Sequence, residues 1–249
     1  MSSDHISSVL KAAAILGLFK REGEWSVTEI AQALYLPLTT AHRQVSTLAE
    51  TGLLYQNRTT SRYRLGLEAF LLGSRVEIVR LLEETVGARI EKLAHELNES
   101  VHVSIPDGTE SVAVLKAGSS HYLAAMPQVG DRRELHATAV GRCLLAFNCQ
   151  NCYDAFRFME RPLAAYTGRT LVDRREIDRA LQEVRAHGYS IDDEEVEEGL
   201  VCIGTPILSR RGVCIAAMSC SVPKQRYLGS EEAIREAVLR TAREISENM

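Results

Sequence analysis

Three helical segments in close succession, followed by a pair of short strands, account for the first 65 residues of this 249-residue chain. The first helix is predicted over residues 7–21, where apolar residues recur at helical spacing. The second begins at Ser26, which forms an S-x-x-E capping box with Glu29, and the third contains Pro37 in its first turn, a position that proline favours. The predicted apolar faces consist of Val9, Leu10, Ala13 and Leu16, then Val27, Ile30, Ala31 and Leu34, and finally Leu38, Ala41, Val45, Leu48 and Ala49. This order predicts a small helical domain that ends in a β-hairpin.

The polar face of the third helix and the loop of the hairpin carry side chains suited to DNA. On the helix these are small hydroxyl groups around one guanidinium, which can reach base edges and phosphates. After Gly52, two short strands enclose a polar loop over residues 57–62, the form of a wing that lies along a phosphate backbone. A winged helix-turn-helix is therefore predicted, with the DNA-binding residues Thr39, Thr40, His42, Arg43, Ser46, Arg58 and Arg62. The alternative for the helix is an ordinary solvated face.

Charge is distributed unevenly along the chain. Residues 1–66 carry 7 Lys and Arg against 5 Asp and Glu, whereas residues 67–249 carry 22 against 28. The net charge of −4 argues against indiscriminate nucleic-acid binding, so attraction for phosphate must come from a local patch in the N-terminal part. Because this positive excess is small, we expect binding to depend on two or more winged helices at one DNA site.

The remainder of the chain predicts a linker helix and a larger α+β domain. Residues 67–99 have a helical pattern with interruptions near Gly73 and Gly87, and the linker helix is placed at residues 67–80. Beyond it, hairpins and helices predict an antiparallel sheet with helices on one side. Predicted strands cover 101–105, 111–116, 121–126, 200–208 and 213–221. Predicted helices begin near Thr138, at an Asp173–Glu176 capping box, and at Ser230, which is predicted to cap the last helix. The predicted domains are 1–66, 67–80 and 81–249.

Composition narrows the class of protein. Hydrophobic residues make up 45% and charged residues 25% of the chain, as in ordinary globular proteins. No apolar run approaches the roughly 18 residues that span a bilayer, and the N-terminus lacks a secretory signal pattern, so a cytoplasmic protein without membrane contact is expected. The six cysteines all follow residue 142 and are predicted to be reduced thiols. No G-x-S-x-G, H-E-x-x-H or phosphate-loop motif occurs, so no catalytic residue is predicted.

Three further segments, together with Thr-Thr-Ala-His-Arg at residues 39–43, resemble the IclR-type transcriptional regulators. They occur in the family's order and read LHATAVGRCLLA at 135–146, GYSIDDEE at 188–195 with GLVCI at 199–203, and AAMSCSVP at 216–223. A winged helix alone is shared by many regulators, whereas these three segments are specific. The resemblance covers essentially the whole chain.

The resemblance implies a GAF-like effector domain, a homodimer or dimer of dimers, and a partly palindromic double-stranded DNA operator. The implied effector is a small organic acid, and no cofactor or metal ion is predicted. Transferred by position, the effector-binding residues are Leu123, Met126, Ala139, Val140, Gly141, Asp192, Leu200, Cys202, Ser219 and Ser221. A helix that starts near residue 139 can receive a carboxylate at its N-terminus, and the two serines lie on one face of a strand.

Two other functions stay open at this stage. Cys143, Cys149 and Cys152, with His136, could form a redox-sensing or metal-binding group, since a C-x2-C spacing suits zinc. The second alternative is an enzyme with a DNA-binding domain attached, in which Cys202 would act as the nucleophile.

Two histidines and an arginine pair also allow more than one interpretation. His102 and His121 lie on predicted strands, where they could line the pocket or be structural histidines. The pair Arg132-Arg133 is expected at the surface or at an interface rather than at a second anion site.

Overall fold

The computed structural model describes residues 5–20, 23–118 and 127–249. The chain divides into two compact units, one up to Arg80 and one from Leu81 onward. None of the described helices is long and apolar enough to cross a membrane. The predicted strand at 121–126, and with it His121, Leu123 and Met126, lies outside the described residues.

Helices followed by a hairpin form the N-terminal unit, in the predicted order. Its elements are α1 (Ser7–Leu18), α2 (Val27–Ala33), α3 (Leu38–Glu50), β1 (Leu54–Gln56), β2 (Tyr63–Leu65) and α4 (Leu67–Gly73). The core of the unit consists of Ile15, Phe19, Ile30, Val45, Leu48, Leu54 and Tyr63. β1 and β2 are antiparallel, and Trp25 extends the pair through a backbone bridge to Tyr63.

Two of the predicted apolar faces differ from the structure. On α1, Val9 and Leu10 are exposed and Ile15 is fully buried, so the core-facing side of this helix is rotated from the predicted one. On α3, Leu38 is exposed because it occupies the first turn, directly after Pro37, which lies just outside the helix. The exposed apolar residues Val9 and Leu10 of α1 can therefore pack against another protein surface.

The capping box at the start of α2 forms as predicted. The Ser26 hydroxyl accepts a hydrogen bond from the Glu29 amide (3.2 Å), and the Glu29 carboxylate accepts one from the Ser26 amide (2.8 Å). Both bonds satisfy amide groups that the first turn of a helix otherwise leaves unpaired. The start of α2 is therefore fixed by two neighbouring side chains.

The segment after the hairpin forms two helices. α4 ends at Gly73, and α5 (Glu77–Leu97) runs through Gly87 without a break. The predicted interruption at Gly87 is wrong, because a glycine weakens a helix only modestly and the nearby Val86 and Ile90 are buried. The predicted linker helix is thus α4, a turn and the first residues of α5.

An antiparallel sheet with helices forms the described part of the C-terminal unit, which confirms the α+β prediction. Its elements are β3 (Ser100–Asp107), β4 (Glu110–Ala117), β5 (Arg132–Glu134), α6 (Ala139–Ala146), a 3-10 turn (Cys149–Asn151), α7 (Cys152–Arg157), α8 (Arg174–His187), β6 (Ser190–Asp193), β7 (Leu200–Leu208), β8 (Cys214–Pro223), α9 (Lys224–Tyr227) and α10 (Glu231–Ser246). The described strands are ordered β5-β4-β3-β8-β7-β6, and all the pairings between neighbours are antiparallel.

Helices cover both faces of this sheet, whereas the prediction placed them on one side. On β7, Gly204 faces α6, and the adjacent Ile203, which strand alternation directs to the opposite face, is also fully buried. α10 packs against β7, and the Leu208 amide donates to the Ser246 hydroxyl at the end of α10 (3.3 Å). The nearly continuous apolar run of β7 reflects this burial on two sides.

Two predicted helix caps have different outcomes. The Asp173 carboxylate accepts hydrogen bonds from the amides of Arg175 (2.8 Å) and Glu176 (3.1 Å), so the Asp173 half of the predicted capping box forms and caps α8. Ser230 occupies the cap position of α10, but its side chain makes no capping hydrogen bond. The prediction of a serine cap at α10 is therefore wrong in its chemistry, although the helix begins where expected.

Candidate functional site

α3 presents a polar face on the N-terminal unit. Thr39, His42 and Arg43 are exposed, and Thr40 and Ser46 are half-buried at the edges of the same face. Residues three and four apart on a helix lie on one side, so these groups form a continuous strip. Hydroxyl, imidazole and guanidinium groups in such a strip are able to contact base edges in a major groove.

The loop of the wing, residues 57–62, is held by its own side chains. The Asn57 carbonyl oxygen Oδ1 accepts hydrogen bonds from the amides of Thr59 (3.0 Å) and Thr60 (3.3 Å), and its Nδ2 donates to the Glu24 carboxylate (3.1 Å). Arg58, in the same loop, is exposed. The loop therefore has a defined shape with a cation at its surface.

Arg62, which the sequence assigns to DNA binding, is hydrogen-bonded within the N-terminal unit. Its guanidinium donates to the Glu29 carboxylate (2.6 Å) and to the Glu24 backbone carbonyl (2.8 Å). Arg62 thus anchors the wing to the start of α2 instead of extending toward a phosphate backbone. The next arginine, Arg64, is exposed and lies over the Tyr55 ring at 4.9 Å from its centroid. Sequence reasoning missed Arg64, although strand alternation within β2 signals its outward direction.

A cavity of about 170 Å³ opens in the C-terminal unit between the start of α6 and the sheet. Its described lining includes these predicted residues: Ala139, Val140, Asp192, Leu200, Cys202, Ser219 and Ser221. Gly141 is not part of the lining, because it packs against the Leu135 backbone and its amide donates to the Thr138 hydroxyl (3.0 Å). An apolar cavity of roughly 150 Å³ can hold benzene, so this one suits a ligand of similar size.

Strand register gives the cavity a polar floor. The Cα partners form one row of Ser100, Ser221, Cys202 and Asp192, and a second row of His102, Ser219, Gly204 and Ser190. Directly opposed residues project from the same face of a sheet. Among the described residues, neither His102 Nδ1 nor Ser219 Oγ has a hydrogen-bond partner, although both side chains are more than nine-tenths buried. Buried polar groups without partners are costly, so each of these atoms is suited to a ligand or a water molecule.

Burial determines the protonation of the floor. It raises the pKa of Asp192 to about 7, and a hydrogen bond from the Glu195 amide (2.8 Å) offsets this effect only in part. Burial also lowers the pKa of His102 to about 4, so its imidazole is neutral at pH 7. The Cys202 thiol is likewise neutral, since burial raises its pKa to about 12. The floor therefore offers hydrogen-bond donors and acceptors with little fixed charge.

The N-terminus of α6 approaches the sheet closely because position 204 has no side chain. A Cβ atom on Gly204 would lie 2.7 Å from the Ala139 carbonyl carbon and 2.9 Å from the Val140 nitrogen. Thr138 caps this helix by accepting the amide hydrogen of the third helical residue. The first turn of α6, which carries the positive end of the helix dipole, therefore borders the cavity.

A buried ion pair ties α6 to the loop that follows β6. Arg142, which is 2% exposed, donates to the Glu195 carboxylate (2.7 Å) and to the Ser190 hydroxyl (2.9 Å). The same loop continues into Val196 and Glu197, which line the cavity. Loss of one partner would leave a buried unpaired charge, which is strongly destabilising. The ion pair thus holds two walls of the cavity together.

Family models match both units of the chain. The IclR helix-turn-helix domain matches residues 8–58, and the C-terminal domain of the bacterial transcriptional regulator IclR matches residues 76–247. The chain belongs to the IclR family of bacterial transcriptional regulators. This IclR-family protein is therefore a DNA-binding transcriptional regulator with an effector-binding C-terminal domain, and not an enzyme.

Named relatives and solved structures agree with this membership. The chain is 33% identical to the HTH-type transcriptional regulator KdgR of Escherichia coli (strain K12), over 99% of this chain and 94% of KdgR. It is 32% identical to the HTH-type transcriptional repressor AllR of Klebsiella pneumoniae, over 92% of this chain and 84% of AllR. The crystal structure of the Thermotoga maritima IclR has a TM-score of 0.78 at 26% identity and covers 98% of this chain and 99% of that one. An IclR homologue from Microbacterium hydrocarbonoxydans, complexed with 4-hydroxybenzoate, has a TM-score of 0.84 at 23% identity, over 97% of this chain and 98% of that one.

Seven described residues that line the cavity of this IclR-family regulator were not assigned to it from the sequence: His102, Pro127, Asp131, Arg133, Thr138, Val196 and Glu197. Arg132 pairs with Asp107 and Glu110 at the surface, as expected for the arginine pair, but Arg133 lines the cavity. His102, whose role the sequence left open, also lines it. The position of His102 directly across from Ser219 is the signal for its role, and that position depends on strand register.

The cysteines that suggested a redox or metal sensor are buried in the core of the C-terminal unit. Burial raises the pKa of Cys143 and of Cys152 to about 12, the opposite of the low pKa that makes a thiol reactive. Cys149 is also buried, and its thiol donates to the Cys214 carbonyl (3.2 Å). The described part of the chain contains no group of three or more side chains placed to hold a metal ion. No observation therefore favours the sensor interpretation.

Proposed function

We propose that this IclR-family regulator binds a partly palindromic operator as a homodimer or dimer of dimers, and that a small organic acid in the α6 cavity controls its operator affinity. The observation that carries the proposal is the pair of buried atoms, His102 Nδ1 and Ser219 Oγ, that lack partners among the described residues. They lie on one face of the sheet at the cavity that the first turn of α6 borders. A small-molecule site combines a mostly apolar lining with a few such converging polar groups.

The lining supports a carboxylic acid that also carries a hydroxyl or carbonyl group. The first turn of α6 and Arg133 favour a carboxylate, since open amides and a guanidinium attract an anion. His102 Nδ1 and Ser219 Oγ then form hydrogen bonds with a hydroxyl or carbonyl group elsewhere on the ligand. When ionised, Asp192 accepts a hydrogen bond from a ligand hydroxyl, and when neutral it can donate one. Leu200 contributes an apolar contact. The compound 4-hydroxybenzoate, which one structural neighbour holds, has both kinds of group and belongs in a test panel.

DNA contact is assigned to the polar strip of α3 and to the wing. Arg43 contacts a guanine or a phosphate, with further contacts from the residues Thr39, Thr40, His42 and Ser46. Arg58 and Arg64 contact the phosphate backbone, while Arg62 positions the wing through its bond to Glu29. This division follows from which guanidinium groups are exposed and which one is bound within the unit.

Self-association is assigned to apolar residues that the N-terminal unit leaves exposed. On α4, these are Leu67, Phe70, Leu71 and Leu72, and on α1 they include Val9 and Leu10. Exposed apolar surface of this kind on a small unit is typical of a protein interface. A second copy is the fitting occupant, because the small positive excess of the N-terminal part calls for two DNA contacts per operator.

The proposed control requires the effector to bind one of two conformational states more tightly than the other. A coupling free energy of about 1–3 kcal/mol is typical for such regulators and changes operator affinity by roughly 5- to 150-fold. A ligand with equal affinity for both states would have no effect on DNA binding.

The two sites are tested separately by substituting one residue in each. Arg43→Ala is expected to weaken binding to an operator selected from a random DNA pool by about tenfold or more, and to leave the effector-induced thermal shift intact. Ser219→Ala is expected to reduce the thermal shift caused by hydroxylated carboxylic acids while operator binding persists. The exposed Arg175→Ala is the control and should change neither quantity. Undiminished operator affinity in Arg43→Ala, or an undiminished shift in Ser219→Ala, would show that the corresponding site is misassigned.

A further inference from the structure

Tyr35, in the turn between α2 and α3, has an unusual backbone conformation for its residue type. Its φ of 51° is in the left-handed region, which side chains other than glycine, asparagine and aspartate rarely adopt. The other non-glycine residues with positive φ in the described part of the chain are polar: Ser61, Asn98, Asn148, Gln150, Asn151 and Glu194. Tyr35 is the aromatic exception among them.

The hydrogen bonds around Tyr35 show why the turn needs this conformation. The Tyr35 amide donates to the Gln32 carbonyl (3.3 Å), and the Leu36 amide donates to the Ala31 carbonyl (2.9 Å). This is the pattern of a Schellman motif, which ends a helix with one left-handed residue, usually glycine. Tyrosine in that position strains the turn, whereas glycine would adopt it freely.

The described part of the chain provides no contact that compensates for this strain. The Tyr35 side chain is 96% exposed, so its ring gains almost nothing from burial within the N-terminal unit. A strained residue with an unused side chain is consistent with a contact made outside the folded chain. Leu38, at the adjacent start of α3, is also exposed.

The place of Tyr35 in the fold identifies the partner. In a helix-turn-helix, the N-terminal residues of the second helix contact base edges, which brings the preceding turn to the edge of the groove where the phosphates lie. Tyr35 lies in this turn, only four residues before Thr39 on the polar strip of α3. A phenol hydroxyl can donate to a phosphate oxygen, and the ring can pack against a deoxyribose.

We propose that Tyr35 is a DNA-contacting residue whose hydroxyl donates to an operator phosphate and whose ring packs on the adjoining sugar. The inference rests on DNA binding through α3, and it adds a backbone contact from the turn. Under this proposal, Tyr35 makes the turn less stable than glycine would and makes operator binding tighter.

The test compares stability and DNA affinity in full-length variants. Tyr35→Gly is expected to raise the melting temperature by about 2–4 °C, because the left-handed position no longer carries a side chain. The same variant is expected to bind about tenfold more weakly to a duplex selected from a random pool by the wild-type protein. Tyr35→Phe keeps the ring and the strain, so it should melt like the wild type and bind about threefold more weakly. The slope of log Kd against log salt should stay unchanged in both, since no charge is removed.

A matched control separates relief of strain from loss of contact. Gln150→Gly removes a side chain at a φ of 50° in the C-terminal unit, and its DNA affinity should equal that of the wild type. Wild-type affinity in both Tyr35→Gly and Tyr35→Phe would overturn the proposal for Tyr35 while leaving the proposed function intact. If Tyr35→Gly were less stable than the wild type, the DNA affinity of Tyr35→Phe would be the test: weaker binding would support the contact, and wild-type affinity would overturn it. Failure of the wild-type protein to select any duplex would overturn the proposed function together with this inference.

Discussion

At the scale of single residues, the buried carboxyl group of Asp192 changes its protonation near neutral pH. Asp192 is 3% exposed, and burial raises the pKa of its carboxyl from 3.8 to about 7. Since the folded pKa lies above the unfolded value, the native state holds a proton that the unfolded chain has released between these two pH values. The stabilisation from this proton is complete below about pH 4 and is lost as the pH rises through about 7.

Asp192→Asn is expected to remove this loss of stability. The amide oxygen can still accept the hydrogen bond from the Glu195 amide, but no charge has to be buried at high pH. At pH 8 the free energy of unfolding should exceed that of the wild type by on the order of 2 kcal/mol, and at pH 4 the two proteins should be similar. Urea denaturation at both pH values measures the difference, and the exposed Asp154→Asn is the control. Equal pH dependence in Asp192→Asn and the wild type would contradict the assignment.

Arg62 shows that residue type alone does not define a role. Its guanidinium, like that of Arg58, belongs to a polar loop that the sequence assigns to a wing. The fold brings Glu24 and Glu29 next to Arg62. The Arg62 guanidinium donates hydrogen bonds to the Glu24 backbone carbonyl and to the Glu29 carboxylate. Of the two arginines in that loop, Arg58 is the exposed one.

At the scale of secondary-structure elements, the position of α6 determines the shape of the cavity. Its first turn borders the cavity because Gly204 leaves room for the Ala139 backbone. Farther along the helix, Arg142 joins α6 to the loop after β6 through Glu195. The two contacts together fix the position of α6 against the sheet and against the loop after β6.

Gly204→Ala is expected to displace the start of α6, since its Cβ would lie 2.7 Å from the Ala139 carbonyl carbon. The affinity for a carboxylic-acid effector should fall by roughly tenfold or more, because even small displacements misalign binding groups. Operator binding without effector should persist. Isothermal titration with the effector and gel shifts with the operator measure the two quantities.

Gly87→Ala provides the control for this substitution, because no atom lies within 4 Å of the Cβ that would be added there. It should leave effector affinity unchanged and stabilise α5 by about 0.5–1 kcal/mol. An unchanged effector affinity in Gly204→Ala would show that the start of α6 is not part of the binding site.

At the scale of the whole molecule, operator binding depends on how many N-terminal units act together. One unit contributes a small excess of positive charge and a single α3. It also exposes Phe70 on α4, which is 68% accessible. Association of two copies through this apolar surface would place two recognition helices on one operator, as half-sites of a partly palindromic sequence require.

Phe70→Glu is expected to shift the protein from dimer to monomer and to weaken operator binding by at least tenfold, because a charge would enter an apolar interface. Analytical ultracentrifugation measures the association, and gel shifts measure the binding. Phe158→Glu is the matched control, since Phe158 is 75% exposed in the C-terminal unit and should not affect association. An unchanged sedimentation coefficient for Phe70→Glu would place the interface elsewhere.

The sequence by itself determined the local elements and the family. The Ser26–Glu29 capping box and the start of α6 after Thr138 depend on residues close to one another in the chain, and they form as predicted. Its three C-terminal motifs also indicated the family to which the chain belongs. The apolar faces of α1 and the break at Gly87 were misassigned, because the side that becomes buried is chosen by packing partners that helical periodicity does not identify.

The tertiary structure alone decided which polar groups meet. His102 and Ser219 are more than 100 residues apart, and the register of β3 with β8 places them side by side on the cavity floor. Tertiary packing also brings Arg142 to Glu195, 53 residues away, and Arg62 to Glu29, 33 residues away. Such pairings depend on strand register and helix packing between distant segments, whereas sequence patterns report only a residue's near neighbours. For this reason the sequence indicated a binding domain and much of its lining, and the fold supplied the arrangement of its hydrogen-bonding groups.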